Sequence, residues 1–399
     1  MLAFNEASEA SEQVDQSAQP HIGESPETLA ARRFSAAKQK YQSAAPDAAP
    51  LPPTVELDAY LATQFAKIRG GDQLAGMLRA QIEQQQRERN EKSTRREAMS
   101  AVQRRRDIAR DEVANSPLQA ADRHHIHSVL ALCGLPYRRP NDAQKEFAKE
   151  YGRNSLVVQA GYLKDPSSGK MVAQGLPYGP KARIMMLHIC TMAVRQNSPQ
   201  IEVSDSMSAF IRDLGFHVTG GEKGSIGQFK EQLHRLAAAH MTIGLWNGVQ
   251  ASTINAHPIE AFSIWLPRDP DQKTLWTSTV HLNERFFRSL KEHALPIDVR
   301  ALKPFTNSAK QMDILLWLAY RLRNIRRPYP ISWTILREQF GADVKCRDRK
   351  FRQSFAEDIQ TIQEVFPQLR LKLDERGLTL MPVDLEQVLG APKRKALLH

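Results

Sequence analysis

The sequence predicts a mainly helical α+β protein. Two tandem winged-helix (helix-turn-helix) domains follow a disordered arm and a charged helical segment. Three observations predict it. One order of elements (long helix, short strand, helix, turn, helix, strands) occurs twice. The apolar spacing switches from threes and fours to alternation where strands are expected. Residues 1–55 lack the large apolar side chains that a core requires.

Residues 1–55 are rich in Ala, Ser, Gln, Glu and Pro and end on AAPDAAPLPP. Such a segment cannot bury enough surface to offset the entropy of ordering, so a disordered acidic arm and linker is expected. Residues 56–130 form a charged helical segment, interrupted at Gly70-Gly71. QIEQQQRERNEKSTRREAMSAVQRRRDIARDEV has no Pro or Gly and is dominated by good helix formers. Its excess of basic residues (Arg87, Arg89, Lys92, Arg95, Arg96, Arg104, Arg105, Arg106, Arg110) fits a non-specific DNA or partner contact. It equally fits an exposed helix with i,i+4 pairs.

The first module is expected over 131–297, because composition changes near Leu135-Pro136-Tyr137-Arg138-Arg139-Pro140. SLVVQAG (155–161) is strand-like. Tyr178-Gly179-Pro180 opens a helix running through KARIMMLHICTMAVRQ, with Pro180 suited to the first helical position. Ile201-Glu202-Val203 is a short strand. SMSAFIRDLGFHVTGGEKGSIGQFKEQLHRL (206–236) then carries two helices. Met207, Phe210, Ile211 and Leu214 share one face, with Ser204 as N-cap and Gly215 as stop. Ile226, Phe229, Leu233 and Leu236 share the face of the second. On this stretch alone a DNA-reading pair and a plain helical hairpin are both open. MTIGLWN (241–247), AFSIWLP (261–267) and LWTSTVHL (275–282) are β-like.

The second module, 298–388, repeats the plan. SAKQMDILLWLAYRLRN (308–324) puts Ile314, Leu315, Leu318 and Leu322 on one helical face. Tyr329-Pro330-Ile331 is extended, and Ser332 caps WTILREQF (333–340), which stops at Gly341. In CRDRKFRQSFAEDIQTIQEVF (346–366), Phe351, Phe355, Ile359 and Ile362 face inward and the start is basic. LRLKLDERGLTLMPV alternates about an Asp374–Gly377 turn, as a hairpin does. Residues 389–399 are a flexible basic tail. This order in each module is that of a winged helix.

The net charge of +11 is uneven. Residues 1–60 hold four basic and nine acidic side chains, leaving 51 and 35 for the rest. A basic body fits a polyanion, most often nucleic acid, although basic charge can also serve solubility alone. Phosphate contacts are expected from Lys181, Arg183, Lys223, Lys230 and Arg235 in the first module, and from Lys345, Arg347, Arg349, Lys350 and Arg352 in the second. Base edges call for forked or amide donors: Gln228, Gln232 and Arg235, then Arg349, Arg352 and Gln353. Each of these also fits a solvated helix face. Trp246, Trp265, Trp276, Trp317 and Trp333 lie in apolar segments and are expected to pack cores.

Other chemistries find less support. Cys133, Cys190 and Cys346 have neither disulfide nor zinc spacing. No apolar stretch is long enough to span a bilayer, and the N-terminus lacks a signal-peptide pattern, so a cytoplasmic protein is expected. GGEKGS (220–225) has the wrong order for a phosphate loop. HHIH (124–127) holds a His-apolar-His pattern that could bind metal on a strand. Here a helical start is expected, where His125 and His127 would not face each other. No enzymatic activity, catalytic residue, cofactor or metal is predicted.

LPYGPKARIMMLHICTMAV, SMSAFIRDLGFHVTGGEKGSI, LWTSTVHLNERFF, PIDVRALK and AKQMDILLWLAYRL…PISWTILREQFG together resemble the RepA family of plasmid replication initiators. The resemblance covers roughly residues 130–385 and leaves the first 130 outside. It implies binding to repeated double-stranded origin DNA (iterons), opening of an adjacent AT-rich segment, and recruitment of host initiator and helicase or loader proteins. It also implies an exchange between homodimers and DNA-binding monomers. A winged-helix transcriptional repressor and a charged scaffold are the alternatives, and a metal-dependent rolling-circle nickase is the third.

Overall fold

Asp58 opens the first helix, its carboxylate accepting the Leu61 N–H. In this computed structural model the described residues are 53–68, 73–165, 168–202, 207–213, 216–220, 224–246, 248–263, 279–341 and 347–384. The arm up to Pro52, Gly70-Gly71, Ser204, Gly215, Lys223, Trp265, Trp276, Lys345, Cys346 and the basic tail lie outside them. The chain divides into two units, Met1–Met99 and Ser100–His399.

In the first unit, α1 (Ala59–Ala66) and α2 (Gln73–Glu97) bury Leu61, Phe65 and Ala75. So few apolar residues need polar help. Gln86 accepts the Asp58 N–H at 2.9 Å, and Arg89 pairs with the Asp58 carboxylate. These bonds tie the polar α2 to α1.

The second unit starts earlier than residue 131. A capping box between Ser100 and Gln103 opens α3 (Ala101–Asn115). Next come β1 (Arg123–His127) and α4 (Ser128–Cys133), then β2 (Glu146–Tyr151) and β3 (Asn154–Gln159). A hairpin of β4 (Tyr162–Lys164) and β5 (Met171–Ala173) leads to α5 (Gly179–Gln196), with Pro180 in its first turn. Then follow β6 (Gln200–Glu202), α6 (Met207–Asp213), α7 (Ser225–Ala238), β7 (His240–Trp246), β8 (Ala251–Ala256), β9 (Ile259–Ser263) and β10 (Thr279–Leu282). Asn283 caps α8 (Glu284–His293), which runs into β11 (Ala294–Asp298) and the single turn α9 (Val299–Leu302). The remainder is α10 (Ala309–Arg321), β12 (Tyr329–Ser332), α11 (Trp333–Phe340), α12 (Asp348–Val365), β13 (Leu371–Leu373) and β14 (Gly377–Leu380).

Two three-stranded antiparallel sheets share one arrangement. Their orders are β6-β10-β9 and β12-β14-β13, so in each the last strand lies between the other two. Each first strand follows a long helix and precedes two more. MTIGLWN departs from expectation. As β7 it pairs with β3 and β8 in a separate four-stranded sheet, β2-β3-β7-β8, and not with β9 and β10, which join β6. The two halves share one core. Trp317 on α10 donates its indole N–H to the Tyr151 hydroxyl at 2.9 Å, and Gln339 on α11 donates to the Leu132 carbonyl. The 297/298 division therefore marks a repeat of element order and no gap in packing.

HHIH also departs from expectation. It forms β1, paired antiparallel with β11 in the register Arg123↔Asp298 to His127↔Ala294. A partner strand 170 residues away in sequence overrides the local helical pattern, as tertiary pairing does for short segments. His125 and His127 therefore share a face. His127, however, is fully engaged. Its Nδ1 accepts the Val129 N–H at 3.2 Å, which puts the proton on Nε2, 3.0 Å from the Ser289 hydroxyl. Among the described residues no group of three or more His, Cys, Asp or Glu is arranged to hold a metal.

Burial pushes the His127 imidazole down to about 3, with the His293 charge adding to it. Burial, then Arg195, takes His124 down to about 4. Both rings are neutral when folded and regain the ordinary histidine value on unfolding. The unfolded chain thus binds more protons below about pH 6.5, and stability is complete above that pH. It is lost as pH falls toward 4 and then 3, at up to about 1.4 kcal/mol per pH unit for each histidine. Urea midpoints at pH 7.5, 6.5 and 5.5 at constant ionic strength should fall in that order. A midpoint unchanged between pH 6.5 and 5.5 would remove both histidines from the account.

Candidate nucleic-acid interface

In the second half, α12 places Phe351, Phe355, Ile359 and Ile362 in the core at spacings of four, four and three. Phe355 meets Phe340 of α11, which stands edge-on to Trp317 of α10. Ser332 caps α11 through the Ile335 N–H, and the Gly341 N–H closes it onto the Arg337 carbonyl at 2.7 Å. These contacts hold α12 with its other face outward.

That outward face carries Arg347, Arg349, Lys350, Arg352 and Gln353, all exposed. The nearby acid, Asp348, is occupied by Arg337 at 2.8 Å. Arg347, Arg349 and Lys350 form no ion pair among the described residues. Arg352 lies 5.5 Å from the centre of the Trp333 ring. The Trp333 indole donates to the Asp374 carbonyl at 3.1 Å, and its backbone N–H donates to the Arg376 carbonyl at 3.2 Å. One tryptophan thus joins the head of α12 to the β13–β14 turn. That hairpin carries exposed Lys372 and Arg376 alongside exposed Asp374 and Glu375. Neither lies on a helix face, although the alternation of LKLDERGL already puts Lys372 on the outward side.

The charges sit at the wrong end for helix stability. Residue Arg347 occupies the N-cap without a side-chain cap bond, and the first turn holds Arg349 and Lys350 with one acid. A helix N-terminus carries partial positive charge and favours anions. Cations there raise the free energy of the isolated chain, and an incoming phosphate would lower it.

The first half offers less. Gln228 and Lys230 are exposed on α7. Lys181 is half-buried, its ammonium 5.7 Å from the Phe229 ring centre, and burial lowers its pKa. Three expected DNA contacts are structural instead. Arg183 is 3% exposed and pairs with Asp313. Gln232 is 3% exposed, and its amide oxygen accepts the Tyr178 N–H at 2.9 Å. Arg235 is 7% exposed, donates to the Leu176 carbonyl at 3.0 Å and pairs with Glu231 at 2.9 Å. All three fasten the loop through Leu176–Tyr178 and the head of α5. A helical wheel shows only the helix, and here the covering loop decides which polar side chains meet solvent. Among the tryptophans, Trp317 is buried at 1% exposure, whereas Trp246 is 51% exposed and does not pack a core.

Residues 176–335 match the family described as plasmid encoded RepA protein. This match, over the middle of the chain, supports a plasmid replication initiator of the RepA C-terminal domain type. The match begins at the fastened loop and ends within α11, before the basic head of α12. The chain is also similar to a solved structure described as selenomethionine derivatives of domain 2 and domain 3 of RctB. That similarity has 6% identity and a TM-score of 0.38 over 59% of this chain and 85% of the other. No curated protein matches the sequence. Among the described residues, no helix is long and apolar enough to cross a membrane.

Proposed function

We propose that the chain initiates plasmid replication by binding repeated origin DNA through two winged-helix modules, with α12 as the principal reading helix and α7 as the second. The observation that carries this is the basic head of α12, whose Arg347, Arg349 and Lys350 form no ion pair among the described residues, at the N-terminus of a helix that gains from an anion there. Two sheets of the same strand order, each behind a three-helix set, support the twofold arrangement. Arg347, Arg349, Lys350 and Arg352 fit phosphate contact, with hairpin Lys372 and Arg376 nearby, and Arg349, Arg352 and Gln353 also fit base edges. Bound on one face of a duplex, two such helices would lie roughly one helical turn apart. In this proposal the protein works by binding and not by catalysis. It opens the neighbouring AT-rich segment, brings host initiator and helicase or loader proteins to it, and exchanges between a homodimer and a DNA-binding monomer in the cytoplasm.

The test is a fluorescence-anisotropy titration against tandem repeats from the parent replicon, beside a scrambled duplex, at several salt concentrations. A preference of roughly a thousandfold or more is expected. Equal binding to both duplexes would defeat the proposal. Specific binding without origin opening would leave a repressor in its place.

A further inference from the structure

The β7–β8 ribbon and α8 face each other across an open cleft of about 700 Å³. Its lining includes Arg153, Trp246, Ser252, Arg285, Arg288 and Tyr320. Three features set it apart from an ordinary surface hollow. Trp246 is half exposed at the end of β7, where burial would be the usual fate of so large an apolar group. The Arg153 guanidinium lies 5.4 Å from its ring centre and packs against the Gly248 turn, a contact that steadies the indole. Arg285 and Arg288 lie three residues apart on α8, so both point to one side. Both are exposed and neither forms an ion pair among the described residues. Glu292 and His293 also line the cleft, and Glu292 is 4.0 Å from His293. Three arginines against one carboxylate leave the cleft positive.

An aromatic platform beside unpaired arginines fits a base and its phosphates together. A duplex hides its base faces in the stack, so this pairing selects a strand whose bases are free. The cleft is open, which suits a chain passing through it more than an enclosed small molecule. We propose that this cleft binds single-stranded nucleic acid, with a base stacked on Trp246 and adjacent phosphates held by Arg285 and Arg288. It is a second site, built from elements other than α12, and its occupancy does not depend on duplex recognition by that helix.

The experiment uses the full chain and a fluorescein-labelled oligothymidylate of about 15 nucleotides, with the matching oligouridylate and ATP as competitors. Saturable, salt-sensitive binding with quenching of tryptophan emission is expected. Trp246→Ala should weaken it roughly fivefold or more and remove the quenching. Arg285→Glu with Arg288→Glu should weaken it at least as much. These side chains are exposed, so thermal melting should show the variants folded, and their affinity for the origin duplex should stay within about twofold of the parent. Preference for either oligonucleotide over ATP supports a strand as ligand and names the sugar. Oligonucleotide binding that is absent, or equally tight in both variants, overturns the site. So does displacement by ATP at concentrations where the oligonucleotide fails to compete. Loss of duplex binding on changing α12, with oligonucleotide binding intact, would separate this site from the duplex site.

Discussion

Asp313→Ala is expected to destabilise the second unit by about 3–5 kcal/mol, because it leaves a buried guanidinium without its counter-charge. All five N–H donors of Arg183 are used. Nε donates to Asp313 Oδ1 at 2.6 Å and Nη2 to Oδ2 at 2.8 Å. Nη1 donates to the carbonyls of Pro136 (3.2 Å) and Gly179 (2.9 Å), and Nη2 also to that of Leu135. The three carbonyls cannot replace a carboxylate, since they supply partial charge only. Gly134, at φ 65°, passes so close to the carboxylate that a Cβ there would collide with it, so the surrounding turn is shaped to the pair. Asp313→Asn keeps an acceptor and should fall between the parent and Asp313→Ala. Arg183→Met with Asp313→Leu should recover much of the loss, because apolar replacement of both partners removes the desolvation cost with the attraction. Urea unfolding of the four proteins checks the order. A loss under about 1 kcal/mol for Asp313→Ala would show that the site admits water, as surface pairs do.

This pair also marks what the sequence could and could not disclose. Ser332, WTILREQF and Gly341 declare a capped helix of eight residues, because cap, periodicity and stop are all local. Pro180 at the head of α5 and the Asp374–Gly377 turn are legible for the same reason. Pairing over long separations is not local. HHIH becomes a strand only because Ala294–Asp298 lies beside it, and MTIGLWN joins the larger sheet because residues 154–159 lie beside it. At the candidate site the same limit applies. Exposed Arg347, Arg349, Lys350 and Arg352 could be recognised from one helix face. Arg183, Gln232 and Arg235 looked equivalent until a loop and a second helix covered them. Trp246 misled in the opposite sense: its apolar neighbours Leu245 and Ile243 belong to a strand whose end runs out into solvent.

Reversing the head of α12 should produce two changes of opposite sign. Arg349→Glu with Lys350→Glu removes two cations and installs two anions where phosphate is expected. Charge-assisted hydrogen bonds contribute about 1.5–3 kcal/mol each, so origin affinity should fall roughly a hundredfold or more. The slope of log affinity against log salt should become shallower by about two. Arg347→Asp should also weaken DNA binding, yet it supplies the missing N-cap acceptor and an anion at the helix N-terminus. Those two gains are about 1 kcal/mol and about 0.3–1 kcal/mol, so its melting temperature should rise. A side chain kept for stability would lose both properties together when replaced. A side chain kept for an anionic partner costs the free protein something and repays it only in the complex. Melting curves and salt-dependent titrations on the same three proteins distinguish the two cases. If Arg347→Asp lowers the melting temperature, or if the doubly reversed protein binds origin DNA with unchanged affinity and slope, α12 does not meet the phosphate backbone.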